Sequence, residues 1–181
     1  IVARAGQRDG MRVPGPAVDL ALLNSTANGL PLNAGQATLV REMATSGARL
    51  QLAIAPAGAG ETTAMRALAQ AWTEGGGTVL GLAPSAAAAG VLGENIQATT
   101  DTMAKLAWHL HHPALGGLPD WAAAIGPATL VVIDEAGMAD TLSLDRAIAE
   151  VMIRGGSVRL IGDDRQLSAI GAGGVLRDIE A

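Results

Sequence analysis

LQLAIAPAGAGETTAMRALAQAW, residues 50–72, decides how the rest of the chain is read. The apolar run LQLAIA (50–55) has the length and bulk of a buried strand, Pro56-Ala57-Gly58-Ala59-Gly60 breaks it, and from Glu61 to about residue 74 apolar residues recur at helical spacing. Strand, glycine-rich turn and helix in that order form the setting of a phosphate-binding loop, where glycines let backbone N–H groups close round an anion at the positive end of a helix. Such loops spell G-x-x-x-x-G-K-[ST], and the lysine reaches the terminal phosphates. Here Ala55 stands at the first glycine and Glu61 at the lysine, while Gly60, Thr62 and Thr63 keep the remainder. Taken alone, the stretch also suits an ordinary strand-to-helix turn.

Working outward, the same alternation continues. Upstream, Asn33 is a helix N-cap candidate, and Leu39, Val40 and Met43 recur at helical spacing until Ser46-Gly47. Downstream come a strand TVLGL (78–82), a helix from Ser85 to Gly93, a helix over 101–111 and a Gly- and Pro-rich loop around 112–127. A strand TLVVID (129–134), a helix from Thr141 to Arg154 and a strand SVRLIG (157–162) follow. Strands separated by helices predict crossover units and a parallel sheet. Residues 1–31, with Gly10, Pro14, Gly15, Pro16, Gly29 and a short helical pattern near Ala17–Asn24, read as a linker or lead-in to one domain over 32–181.

Composition bounds the partners. Among 181 residues, 12 basic and 17 acidic side chains leave a net charge of −5, which argues against gripping nucleic acid by bulk charge. There is no cysteine, hence no disulfide framework or thiolate metal site. No apolar run reaches the ~18 residues of a membrane span, and nothing at the N-terminus reads as a signal peptide, so the expected compartment is the cytoplasm. The start at Ile1 and the helical beginning in GGVLRDIEA lead us to expect a fragment of a longer protein. Lys105 is the only lysine.

Two further segments carry chemistry. TLVVIDEA (129–136) ends an apolar strand in two adjacent acids, and buried carboxylates demand partners. In nucleoside triphosphatases the first acid of such a pair holds Mg²⁺ and the second orients and deprotonates the attacking water, roles that Asp134 and Glu135 fit. The pair could otherwise simply cap the helix that follows. LIGDDRQLSAIGAGG (160–174) delivers Gly162-Asp163 at a strand end and Gln166 three residues on.

With Gln36 in LNAGQ, APAGAGETT, GLAPSAAAA (81–89), TTDTMAKL (99–106), VIDEAGM and GDDRQL in order, the chain resembles superfamily 1 DNA helicases through motifs Q, I, Ia, Ib, II and III. More narrowly, it resembles the RecD-like helicase part of TraI/TrwC-type conjugative relaxases, from about Leu32 onward. The resemblance implies an α/β, RecA-like P-loop domain whose parallel sheet places SVRLIG between the phosphate-loop strand and TLVVID, with TVLGL beyond. It implies ATP and Mg²⁺ as cofactors: Gln36 recognising adenine, Pro56, Ala57, Gly58, Ala59, Gly60, Glu61, Thr62 and Thr63 forming the loop, and Thr62 with Asp134 serving the metal. Glu135 would be the catalytic acid, and Gln166 would sense the γ-phosphate. It further implies single-stranded DNA at Pro84, Ser85 and Thr102, a second motor domain and a relaxase domain in the parent polypeptide. Without the family, Ser85 reads equally well as a helix N-cap and Thr102 as a helix-start residue.

Other features carry less. His109-Leu110-His111 matches a nuclease pattern that needs a tyrosine nucleophile, and the chain has no tyrosine. Trp72, four residues after Leu68, reads as core, while Trp108 and Trp121 are open between core and base stacking. Glu61 sets two functional classes against each other: a segment of an ATP-dependent DNA helicase, and a nucleotide-incompetent relic that only binds DNA or protein. A carboxylate in place of the loop lysine turns attraction for a triphosphate into repulsion.

Overall fold

The computed structural model describes residues 6–54 and 60–162, with the backbone alone for Ile54 and Glu61. Five strands are placed: β1 (Leu50–Ile54), β2 (Thr78–Ala83), β3 (Thr99–Thr102), β4 (Thr129–Ile133) and β5 (Ser157–Gly162). They form a single sheet in the order β1-β5-β4-β2-β3, and every pairing is parallel. SVRLIG therefore lies between the phosphate-loop strand and TLVVID, with TVLGL beyond, in the order the family resemblance implies.

Parallel strands need crossovers, and helices supply them. Before the sheet lie α1 (Gly15–Ala27) and α2 (Ala34–Thr45); α3 (Glu61–Glu74), α4 (Ala86–Ile96), α5 (Met103–His111), the single turn α6 (Asp120–Ala123) and α7 (Thr141–Ile153) follow. The inner strands β4 and β5 are buried on both faces, and the period of two along the strands divides the core. Ala53, Val79, Ala83, Leu130, Val132 and Ile161 face one cluster with α1 to α4. Leu50, Leu82, Val131, Ile133, Val158 and Leu160 face another with α5 to α7. At Gly81 a Cβ would stand 2.7 Å from both Leu92 Cδ2 and Thr100 Cγ2, so the missing side chain is what lets α4 and β3 close over β2.

Two expectations shift. The helix expected over 101–111 begins only at Met103, because Thr99–Thr102 pairs with β2 as β3; threonine's branched Cβ favours the extended backbone this edge strand adopts. The loop expected around 112–127 contains the 3₁₀ turn Pro113–Leu115 and α6. The lead-in also carries structure: Val13, Val18 and Ala21 are buried, and α1 packs on α3. Among the described residues no helix is long and apolar enough to cross a membrane.

Candidate nucleotide site

Because all five strands run the same way, their C-terminal ends share one edge of the sheet, and in such folds ligands bind outside that edge. Ile54 pairs with Gly162 and Ile133 with Leu160, so the ends of β1 and β4 flank the end of β5. At ~4.8 Å per strand they stand about 10 Å apart. From β1 the chain re-enters at Gly60, whose φ of +80° is the left-handed conformation that glycine adopts without strain, and Glu61 opens α3. Thr62 is exposed and Thr63 half-buried in its first turn. Pro56, Ala57, Gly58 and Ala59 of the loop, and Gln166 beyond β5, lie outside the described residues.

Gln36 stands on the third residue of α2 and closes a capping box: its backbone N–H donates to Asn33 Oδ1 (2.9 Å) and its side-chain Oε1 accepts from the Asn33 N–H (2.9 Å). The other end of the same amide lies against Gly60, where any Cβ would collide with Gln36 Nε2. Two motifs 24 residues apart in the chain thus meet at the start of α3. Sequence spacing alone does not reveal that contact.

Asp134 and Glu135 follow β4 directly. The Asp134 N–H donates to Leu82 O (3.0 Å), which extends the β4–β2 ladder by one residue and fixes where the carboxylate leaves the sheet. Its Oδ1 accepts from the Glu135 N–H (2.8 Å). Burial pushes the Asp134 carboxyl pKa up, and that hydrogen bond opposes the rise only in part. Desolvation therefore disfavours the charged form of this half-buried carboxylate, and a nearby cation would favour it. Glu135 takes φ +49°, one of only two non-glycine residues in the left-handed region among those described. Strain of that kind clusters at functional sites.

Asp134 and Thr62 carry oxygens of the type that could hold Mg²⁺, and the N-terminus of α3 is of the kind that could receive an anion. Glu61 does not suit that anion. Among the described residues, neither Lys105 nor Arg66 takes its place. Lys105 is paired with Asp101 (2.6 Å) beside β3, four strands or roughly 19 Å from β1. Arg66 turns to α4 and donates from Nε to Asn95 O (2.9 Å).

Ser85 and Thr102 sit at the same sheet edge, Ser85 two residues after β2 and Thr102 as the last residue of β3. Both are N-caps: Ser85 Oγ accepts from Ala88 N (3.1 Å) and Thr102 Oγ1 from Lys105 N (3.1 Å). Accepting with a lone pair leaves each O–H to donate elsewhere. Pro84 precedes Ser85, half-buried.

The remaining candidates divide. Trp72 is fully buried and donates from Nε1 to Ala128 O (3.0 Å). Trp121 packs against the second core cluster. Trp108 is exposed, with its ring stacked on His112 at 4.8 Å. His109 Nδ1 lies 2.8 Å from Gly117 O, and among the described residues no three His, Asp or Glu side chains form a metal cluster. A cleft of about 780 Å³ lined by Thr78, Thr99, Thr129 and Trp121 opens where the strands begin, away from Asp134 and Gly60.

Residues 31–181 match the AAA_30 family, an AAA domain. The chain belongs to this family. Its resemblance to RecD-like superfamily 1 helicase motor domains stands with it. The chain is 31% identical over 134 residues to the conjugal transfer protein TraA of Agrobacterium fabrum, and 31% over 133 residues to the probable conjugal transfer protein TraA of Sinorhizobium fredii. Those alignments cover 73% and 72% of this chain and 11% of each relative, so the chain spans about a tenth of their length. The UvsW helicase of bacteriophage T4 superposes over 91% of this chain and 67% of its own, with a TM-score of 0.60 at 14% identity, which speaks to the fold.

One buried residue escaped the sequence reading. Arg159, in the middle of β5, is fully buried. Its only signal was a charge inside the apolar run SVRLIG.

Proposed function

We propose that the chain is the first motor domain of an ATP-dependent DNA helicase of the conjugative relaxase or RecD-like type, acting in the cytoplasm on single-stranded DNA. The observation that carries this reading is the shared sheet edge: Gln36 against Gly60 at the start of α3, and the half-buried Asp134 with the strained Glu135 two strands away. In this reading Gln36 recognises adenine, and residues 56–60 with Thr62 and Thr63 wrap the phosphates. Thr62 and Asp134 hold Mg²⁺, which when bound would offset negative charge on the phosphates. Glu135 positions a water and takes its proton. Gln166 reports the γ-phosphate, and the spare O–H donors of Ser85 and Thr102 hold DNA phosphates. A second motor domain and a relaxase domain of the parent polypeptide complete the machine.

Glu61 supports a second reading, in which this member has lost nucleotide binding and serves as a DNA- or protein-binding module. Titration with Mg-ATP separates the two. Micromolar binding by the chain as it stands favours the motor. Absent binding that appears in Glu61→Lys favours a disabled motor, and absent binding in both proteins removes the nucleotide site from this sheet edge.

A further inference from the structure

Among the described residues, the Arg159 guanidinium donates its hydrogen bonds to backbone carbonyls only. Nε and Nη2 donate to Met43 O (3.1 and 2.7 Å), and Nη1 donates to Ala48 O and Val158 O (2.9 Å each). Its Cζ lies 5.8 Å from the centroid of Trp72, within cation–π range. Among the described residues no carboxylate pairs with it. Burial pushes its pKa down to about 10, so it stays charged at neutral pH. The counter-charge is the negative end of α2, where Met43 lies in the last turn and Ala48 just beyond.

A buried cation without an anion is a poor way to gain stability, and an apolar side chain would fill the space at less expense. What arginine offers is a rigid fork of donors that ties several elements at once. Here it joins β5 to the end of α2 and, through Trp72, to the end of α3. At their other ends these elements carry the strand exit toward Gln166, then Gln36, then Gly60 and Thr62. Helix α2 therefore meets Gly60 through Gln36 at its start and Arg159 through Met43 about 10 Å further along, where Ala44 O and Thr45 O also accept from the Val13 N–H and from Arg12 Nη1.

We propose that Arg159 is a positioning residue for the nucleotide site, fixing the tilt and register of α2 so that Gln36 is held at Gly60 in the geometry that selects adenine. The base-selection half of this inference rests on the function proposed above; the mechanical half does not.

The test is hydrogen exchange on the full chain and on Arg159→Met, without nucleotide. We expect peptides over residues 34–40 to exchange about tenfold faster in the variant, together with those over 43–49, while α7 on the opposite face is unchanged. Faster exchange confined to 43–49 would mean that the arginine merely caps α2 locally, and would overturn the proposal. If Arg159→Met does not fold, Arg159→Lys decides by the same criterion, since an ammonium keeps the charge but cannot span the Met43 and Ala48 carbonyls together. In a Glu61→Lys background, the preference for ATP over GTP should fall about fivefold when Arg159 is also changed, a shift of roughly 1 kcal/mol. An unchanged preference overturns the link to base selection. If Glu61→Lys alone shows no preference for adenine, the functional reading of Gln36 fails, and hydrogen exchange alone judges Arg159.

Discussion

Replacing Glu61 with lysine tests the nucleotide reading at its weakest point. Glu61 is the first residue of the 14-residue helix α3, behind an N-cap glycine that offers no side chain to the first turn. Two terms follow, with opposite signs. A carboxylate in the first turn gains about 0.3–1 kcal/mol from the helix dipole. Losing that gain, and placing a cation there instead, should lower Tm by a few degrees, since about 1 kcal/mol corresponds to ~2–4 °C in a domain of this size. Toward a bound triphosphate the sign reverses. A unit charge ~4 Å from a phosphate oxygen at an effective dielectric near 20 contributes about 4 kcal/mol, repulsive for Glu61 and attractive for lysine. Solvent at the open sheet edge removes much of this, but about 1.4 kcal/mol suffices for each tenfold in affinity. Even so reduced, the ligand term remains larger than the dipole term. Glu61→Lys should therefore bind Mg-ATP at least about tenfold more tightly while melting slightly lower when unliganded. Isothermal titration calorimetry and a thermal melt, with and without nucleotide, read both quantities. Equal weak binding by the two proteins would refute the reasoning, because it would show that charge at position 61 is not what limits the site.

Three further outcomes follow from the same edge of the sheet. Burial raises the Asp134 carboxyl pKa above its unfolded value of 3.8, so the folded state holds that proton more tightly, and stability falls as pH rises from 3.8 through the folded pKa; Asp134→Asn should raise the unliganded Tm at pH 7 and abolish the gain in Tm from Mg-ATP in the Glu61→Lys background, and a lowered Tm would contradict the assignment. At φ +49°, Glu135→Gly should be more stable than Glu135→Ala by about 1 kcal/mol in chemical denaturation, the reverse of the usual order, because only glycine adopts this backbone without strain. Ser85→Ala should lose about 1 kcal/mol with the N-cap and also bind single-stranded DNA less well, whereas Ser85→Asp keeps a cap and repels phosphate; recovery of DNA binding along with stability in Ser85→Asp, measured by fluorescence anisotropy, would show that Ser85 only caps α4.

How far the sequence could be read depended on whether local chemistry and tertiary environment agree. LQLAIA, TVLGL, TLVVID and SVRLIG were legible as strands because each is an apolar run of five or six residues ended by glycine, proline or acids, which is what a strand buried on both faces requires. Asn33 and Ser85 were legible as caps because capping is a local hydrogen bond between residues three apart, whereas Thr102, which read as a residue at the start of its helix, stands one step outside it as the N-cap. β3 was not, since Thr-Thr-Asp-Thr has no apolar run and is held extended only by pairing with β2. The Gln36–Gly60 contact joins separate elements and depends on how α2 packs on α3, which no periodicity encodes. Arg159 is the sharpest case. Charge says surface and strand context says core, and the structure resolves the conflict with the carbonyl end of α2, a partner that is no residue type at all. Sequence reading prices an arginine by its side-chain neighbours, yet the end of a helix is itself a charged group, and it becomes visible only once the helix has a place in the fold.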